Sequence, residues 1–281
     1  MFKSKNTKEN IMKIIIHTLL IAGAISMLFP FFWMISTSFK TPSEILTYPT
    51  KLLPDSLYWK NYSHAWKNPN VNFARYFSNT IFVASITTLG QLFLSSLAAY
   101  AFAFFNFPWK DKIFMLLLAT MMIPQQALLV PDYIILHKLR ILDTYFALII
   151  PWICSAFSIF LLRQFFMSIP KELFEAATID GASKIKFYYK ILLPLSVPPL
   201  LTAGMFTFLG SWNSFIWPLI VTSSPELRVI QVGLAQYMQA EGTNWGPLMA
   251  ASTFCTIPLI VGYFFVQKKF IQGIATTGMK D

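Results

Sequence analysis

The acidic and basic residues of this 281-residue chain are confined to short segments. Six stretches between them carry no formal charge: 14–39, 76–109, 113–131, 144–162, 191–225 and 242–267. About 20 residues of helix cross the hydrocarbon core of a bilayer, so each stretch is long enough to span one. A seventh gap, 229–240, is too short for that and suits an interfacial or re-entrant segment. Only 12% of the residues are charged and 56% are hydrophobic, whereas soluble domains carry about 25% charged residues. Such a chain cannot cover a water-facing surface. A net charge of +10 would suit nucleic acid, but the cations lie in short segments between apolar runs, the pattern of Lys and Arg retained on the cytoplasmic face of a membrane. The pattern predicts an all-α integral membrane protein with one transmembrane domain over 1–281. Its six spans fall at about 14–35, 77–105, 113–135, 144–166, 195–219 and 247–268.

Lys3, Lys5, Lys8 and Lys13 precede the first run, as in a signal peptide. That run is too long for a signal, however, and Pro30-Phe31-Phe32-Trp33 offers no small-residue cleavage site, so a retained first helix is expected. The four lysines place the N-terminus in the cytoplasm, and six spans return the C-terminus to the same side. On this topology 14 Lys and Arg lie inside and 8 outside, five of the latter in the loop 40–75. That loop is long enough for a small folded cap, while Lys138 and Arg140 in a short outer loop run against the bias. Cys154 and Cys255 fall in the fourth and sixth runs with neither metal-ligand nor disulfide spacing, and are expected to behave as small apolar side chains.

The second run carries Ala84, Ser85, Gly90, Ser95, Ser96, Ala98, Ala99 and Ala101, small residues that let helices approach closely in lipid. Pro30, Pro124, Pro151, Pro198, Pro199 and Pro258 punctuate other runs. Broken backbone at membrane depth is tolerable only against protein or a water-filled cavity, a hint of a transport path. Between the fourth and fifth runs, segment 167–190 reads as a short amphipathic helix. Ser168 and Pro170 open it, Glu172 and Glu175 favour its positive end, and Leu173, Phe174 and Ala177 supply an apolar side. Gly181 stops it, because glycine takes the left-handed conformation readily. Taken alone, these residues fit a partner-binding helix or a linker without a partner.

Glu175-Ala176-Ala177, Asp180-Gly181-Ala182 and the following Ile191-Leu192-Leu193-Pro194 resemble the EAA loop of ATP-binding-cassette (ABC) importer permeases, in the form of the carbohydrate-uptake branch. The likeness extends to Ser78–Tyr100, Met122–Tyr133, Phe160–Pro170 and Ser211–Pro218, and the tail Phe270–Lys280 resembles the end of the smaller, maltose-type permease subunit. It covers about 76–281. The resemblance implies a type I ABC importer permease fold whose coupling helix, between spans four and five, seats Glu175, Ala176, Ala177, Asp180, Gly181 and Ala182 on a cytoplasmic ATPase. It implies two ATPase subunits, a second and different permease subunit, an extracytoplasmic sugar-binding protein and a place in a bacterial cytoplasmic membrane. The chain has no GxxxxGK[ST] phosphate loop, so ATP and Mg belong on the partner ATPase, and no cofactor and no nucleic acid are expected here.

Candidates for the substrate path are polar or aromatic residues inside the runs. Asn213 lies among aromatics in the fifth run and either lines the path or makes an interhelical hydrogen bond. Gln125 and Gln126 stand beside Pro124. Trp212 and Trp217 could stack on a sugar or anchor span ends at the interface. Asp132, at the end of the third run, is either wet or faces the delivery protein. The maltose-type likeness implies that the larger permease subunit holds most of the sugar. An ion-coupled secondary transporter is the rival, but it should carry membrane-embedded carboxylates or arginines, and only Asp132 comes near. A membrane scaffold without transport activity is the other alternative.

Overall fold

A computed structural model describes residues 3–68, 71–239 and 242–277. The chain is helical: α1 (Lys3–Ser38), α2 (Pro42–Ile45), α3 (Lys60–Trp66), α4 (Phe73–Phe104), α5 (Lys110–Thr120), α6 (Gln125–Lys138), α7 (Tyr145–Ile149), α8 (Ala156–Ser168), α9 (Lys171–Ile179), α10 (Lys184–Phe187), α11 (Leu193–Leu195), α12 (Val197–Trp212), α13 (Ile216–Val221), α14 (Ile230–Ala235) and α15 (Trp245–Thr277). Among the described residues the strands are β1 (Met238–Gln239) and β2 (Gly242–Thr243), an antiparallel pair. The gap 229–240 holds α14, and its residue 240 lies outside the described residues. So do residues 278–280 of the tail.

Three helices are long and apolar enough to cross a membrane unbroken: Asn10–Ser38 within α1, α4, and Trp245–Phe264 within α15. Three bent pairs reach that length together, making up to six spans: α5 with α6 at 99°, Tyr145–Trp152 with α8 at 43°, and Lys184–Leu195 with α12 at 79°. The bends have local causes. Pro124, extended at φ −64° and ψ 131°, caps α6, and Pro151 sits in the 3-10 turn Ile150–Trp152 that follows α7. A proline lacks the N–H that would continue the ladder. At the third bend Ser196 ends α11, its Oγ donating to the Leu192 carbonyl at 2.6 Å, and Pro198 and Pro199 in the first turn of α12 have no N–H to continue the ladder. The expected stretch 195–219 is not one helix either: α12 ends at Trp212, Asn213 caps it, and α13 begins at Ile216.

The chain groups into two compact units. The first comprises 1–71 and 236–256, and in it the loop after α1 is a folded knot. The buried Asn61 amide donates to the carbonyls of Ser38 (2.9 Å) and Lys40 (2.8 Å), and Lys40 Nζ donates to the Lys51 carbonyl at 2.6 Å. Thr41 and Glu44 form a capping box on α2. The Glu44 carboxylate also accepts the Asp55 N–H at 2.8 Å. The backbone N–H of Thr41, then that of Asp55, then the Thr41 hydroxyl hold its pKa down at about 2. Gly246, in the first turn of α15, lies directly against Asn61: a Cβ there would meet the amide oxygen at 2.6 Å.

The second unit comprises 72–235 and 257–281. Its centre is α4, which packs most extensively on α8 and α12. Small residues make the approach close. Ala84, Ser95, Ser96 and Ala99 are buried, and a Cβ on Gly204 of α12 would come within 3.1 Å of Leu92.

Candidate functional site

The segment carrying Glu175 to Ala182 is a helix with a built stop. Within α9, Ala177 is buried, Phe174 is half-buried, and Glu172, Leu173, Glu175, Ala176 and Ile179 are exposed. At the C-terminus the Ala182 N–H bonds the Ala177 carbonyl at 2.8 Å and the Gly181 N–H bonds the Thr178 carbonyl at 3.0 Å. With Gly181 at φ +75°, this is a Schellman motif, and Ala182 packs near Ala177 in the same apolar cluster. A Cβ on Gly181 would meet nothing within 4 Å, so within this chain the glycine answers a backbone requirement and not a steric one.

Aromatic packing holds the helix against the transmembrane helices. Phe174 meets Phe187 edge-on at 4.9 Å and Phe104 at 5.5 Å, and the Tyr100 ring lies 5.4 Å from that of Tyr188. The Tyr100 hydroxyl donates to the Lys184 carbonyl at 3.1 Å, and the hydroxyls of Ser96 and Tyr188 pair at 2.6 Å. Ser183 caps α10 by accepting the Lys186 N–H at 3.2 Å. These contacts fix one side of the loop. The other side is left open, with Ile179 86% and Ile185 70% exposed.

Also within the second unit is a cavity of about 490 Å³. Thr80, Val83, Thr87 and Gln91 of α4 line one wall, at a spacing that places all four on one helix face. Most of the remaining lining comes from the α5–α6 break, the start of α8 and the gap between α12 and α13, with Phe206 and Thr207 of α12 and Val229 beside them. Thr120, Met121 and Gln125 flank the α5–α6 break. Trp152, Cys154, Ser155 and Ser158 flank the start of α8, and Gly210, Ser211, Ser214 and Trp217 flank the gap between α12 and α13. None of the described lining residues carries a formal charge. Gln91 ties the wall together, its Nε2 donating to Ser158 Oγ at 2.7 Å and Thr207 Oγ1 at 2.5 Å. Thr87 Oγ1 is buried without a hydrogen-bond partner.

The path candidates named from the sequence divide. Gln125 lines the cavity, and so does Trp217, whose indole donates to the Ala147 carbonyl at 3.0 Å. Gln126 and Asp132 do not line it. Trp212 is buried in the bundle, stacked on Phe208 at 5.6 Å and edge-on to Phe77 at 5.8 Å. Asn213 is exposed outside the lining, donating to the Leu209 carbonyl at 3.0 Å and accepting from Gln231 at 3.3 Å. The cavity wall adds Gln91, Thr87, Ser158 and Thr207. Polar residues at 80, 87 and 91, which share one face of α4, were the signal that could have found its α4 side. Cys154 is an exposed thiol on the wall rather than a packed side chain, whereas Cys255 is buried.

The family described as "Binding-protein-dependent transport system inner membrane component" matches residues 91–276. The sn-glycerol-3-phosphate transport system permease protein UgpE of Yersinia pestis bv. Antiqua (strain Antiqua) is 34% identical over 264 residues, covering 92% of this chain and 94% of that protein. The probable ABC transporter permease protein YurM of Bacillus subtilis (strain 168) is 36% identical over 258 residues, covering 91% and 85%. Among solved structures, a chain of a bacterial ABC transporter involved in the import of the acidic polysaccharide alginate superposes with a TM-score of 0.83 at 24% sequence identity, over 94% of this chain and 98% of that one.

Proposed function

This chain belongs to the binding-protein-dependent transport system inner membrane components, and from that premise we propose that it is the smaller permease subunit of an ATP-driven carbohydrate importer. It has a type I ABC importer fold, with three unbroken spans and three bent ones, and both termini are cytoplasmic. The exposed side of α9, with Glu175, Ala176, Asp180 and Gly181, seats on one of two ATPase subunits, while a second, different permease subunit completes the path. ATP and Mg bind on the ATPases, and a sugar-binding protein delivers cargo from the far side.

The observation that carries this reading is the course of α8. It starts at the cavity, where its cap Ser155 and its Ser158 form part of the wall, and its last residue, Ser168, is separated from α9 only by Ile169 and Pro170. A displacement of α9 by ATPase closure therefore has a direct route to the cavity, with the aromatic cluster of Tyr100, Phe104, Phe174 and Phe187 stiffening the joint. Stiffness is required, because driving a two-state equilibrium from 1:99 to 99:1 takes about 5.5 kcal/mol. An ion-coupled carrier is disfavoured because no described residue of the cavity wall is a carboxylate or a cation.

The test is reconstitution. In proteoliposomes the full assembly should hydrolyse ATP faster with sugar-loaded binding protein and accumulate sugar, and the chain alone should do neither. Sugar uptake by the isolated chain would refute the proposal.

A further inference from the structure

We propose that the turn between α4 and α5 binds the headgroup of an anionic lipid, its phosphate held among Lys110, Lys112, Arg163 and Lys184. The way these cations are partnered carries the proposal. Lys110 Nζ donates to the Phe105 carbonyl at 2.9 Å, and Lys184 Nζ lies 4.7 Å from the centre of the Phe105 ring. Lys112 Nζ stands 4.3 Å over Trp109. The Arg163 guanidinium lies 4.0 Å over Phe114, with its Nε donating to the Phe102 carbonyl at 3.4 Å. Carbonyls and ring faces orient a cation without cancelling its charge. Among the described residues, the carboxylate within ion-pair distance of these cations is Asp111, 4.0 Å from Arg163 with its side chain 86% exposed. The heads are also within reach: Lys112 and Lys184 are exposed and Lys110 is half-buried. An ammonium has three donors, and a phosphate, which only accepts, can take those left over.

Depth selects a lipid over a free anion. The turn lies between the end of the span Phe73–Phe104 and Lys110, where the α5–α6 pair begins, so it stands where hydrocarbon gives way to headgroups. Trp109, 68% exposed, is the amphipathic ring favoured at that level. Its backbone is left-handed at φ +65°, an outlier for a bulky residue that persists only where the surroundings hold it. The outcome is an exposed indole with the Lys112 ammonium over its face. Ile113 and Leu116, exposed one turn apart on α5, give an acyl chain an apolar surface beside the cations. Arg163 belongs to α8 and Lys184 to α10, so a phosphate bound there braces the turn against both elements that flank α9.

The test titrates the detergent-solubilised assembly with dioctanoylphosphatidylglycerol and counts retained lipid by native mass spectrometry. Each basic residue near anionic headgroups contributes a factor of about five to binding, so combining Lys110→Gln with Lys112→Gln should weaken retention by about 25-fold. Lys138→Gln, at the far end of the α5–α6 pair, should leave it unchanged, and dioctanoylphosphatidylcholine should be retained equally by wild type and variant. Acetylation of Lys110 and Lys112 in the wild-type assembly gives a second reading that needs no variant to fold. Dioctanoylphosphatidylglycerol should slow it by about fivefold or more, and inorganic phosphate at the same concentration should not. Equal phosphatidylglycerol retention by wild type and the double variant would overturn the proposal. So would protection by inorganic phosphate, which would make the site one for a free anion, or protection by the ATPase subunits without lipid, which would assign the cations to a protein partner. None of these readings uses transport, so the importer assignment is tested separately.

Discussion

Replacing Gly181 by valine tests the coupling helix at its most exacting position. At φ +75° an L-residue with a Cβ costs about 1–2 kcal/mol, and a β-branched residue is a genuine outlier there. The chain can escape that strain only by releasing the Ala182-to-Ala177 and Gly181-to-Thr178 hydrogen bonds, each a net contribution of about 0.5–1.5 kcal/mol. Whichever route is cheaper, the penalty is about 2 kcal/mol, a factor of about 30 in the population of the native helix end. It falls on an exposed terminus, so membrane insertion and assembly of the bundle should survive. In reconstituted complexes, stimulated ATP hydrolysis and uptake should fall by about tenfold or more with normal insertion. Gly181→Ala should be milder, because its methyl meets nothing within 4 Å and only the backbone cost remains. Gly181→Asn separates backbone from contact, since asparagine tolerates the left-handed region: it should retain most transport, and an Asn variant as impaired as Val would shift the requirement to close approach by the ATPase. Normal transport by Gly181→Val would refute the reasoning.

Gln91→Leu removes the donor to Ser158 and Thr207; interhelical bonds in membranes average about 0.6 kcal/mol, so stability in detergent should drop by about 1 kcal/mol, and uptake should fall further than that loss explains. Gly246→Ala forces Asn61 off the Ser38 and Lys40 carbonyls and should destabilise the first unit by about 1–3 kcal/mol, measured as faster proteolysis of the loop 40–66 while the second unit stays resistant. Because Glu44 is held at about 2, below its ordinary 4.5, its contribution should be fully present above pH 4.5 and fade as the pH falls toward 2. Protease resistance of that loop should follow this fall in the native chain and lose it in Glu44→Gln, and identical acid profiles would refute the assignment.

What the sequence determined on its own is local. Charge-free runs set where the apolar helices lie, because burying an unpaired charge in lipid is prohibitive. Pro170, the acidic first turn and Gly181 set the start and stop of α9, because caps depend on residues within one turn of each other, and the structure has that helix and that left-handed glycine. Pro124 and Pro151 announced breaks without saying where they would meet, whereas Pro30 and Pro258 lie inside the unbroken α1 and α15. Tertiary structure decided the rest. Gln91 finds partners 67 and 116 residues away, and the breaks after α5, before α8 and after α12 meet at one cavity because α8 and α12 both pack on α4. Asn213, polar and central in its run, pointed to the path on composition, yet its amide is engaged by Leu209 and Gln231 outside the lining. Periodicity tells which residues share a helix face, but which face meets which neighbour depends on close packing between helices distant in the chain, and no local spacing encodes that.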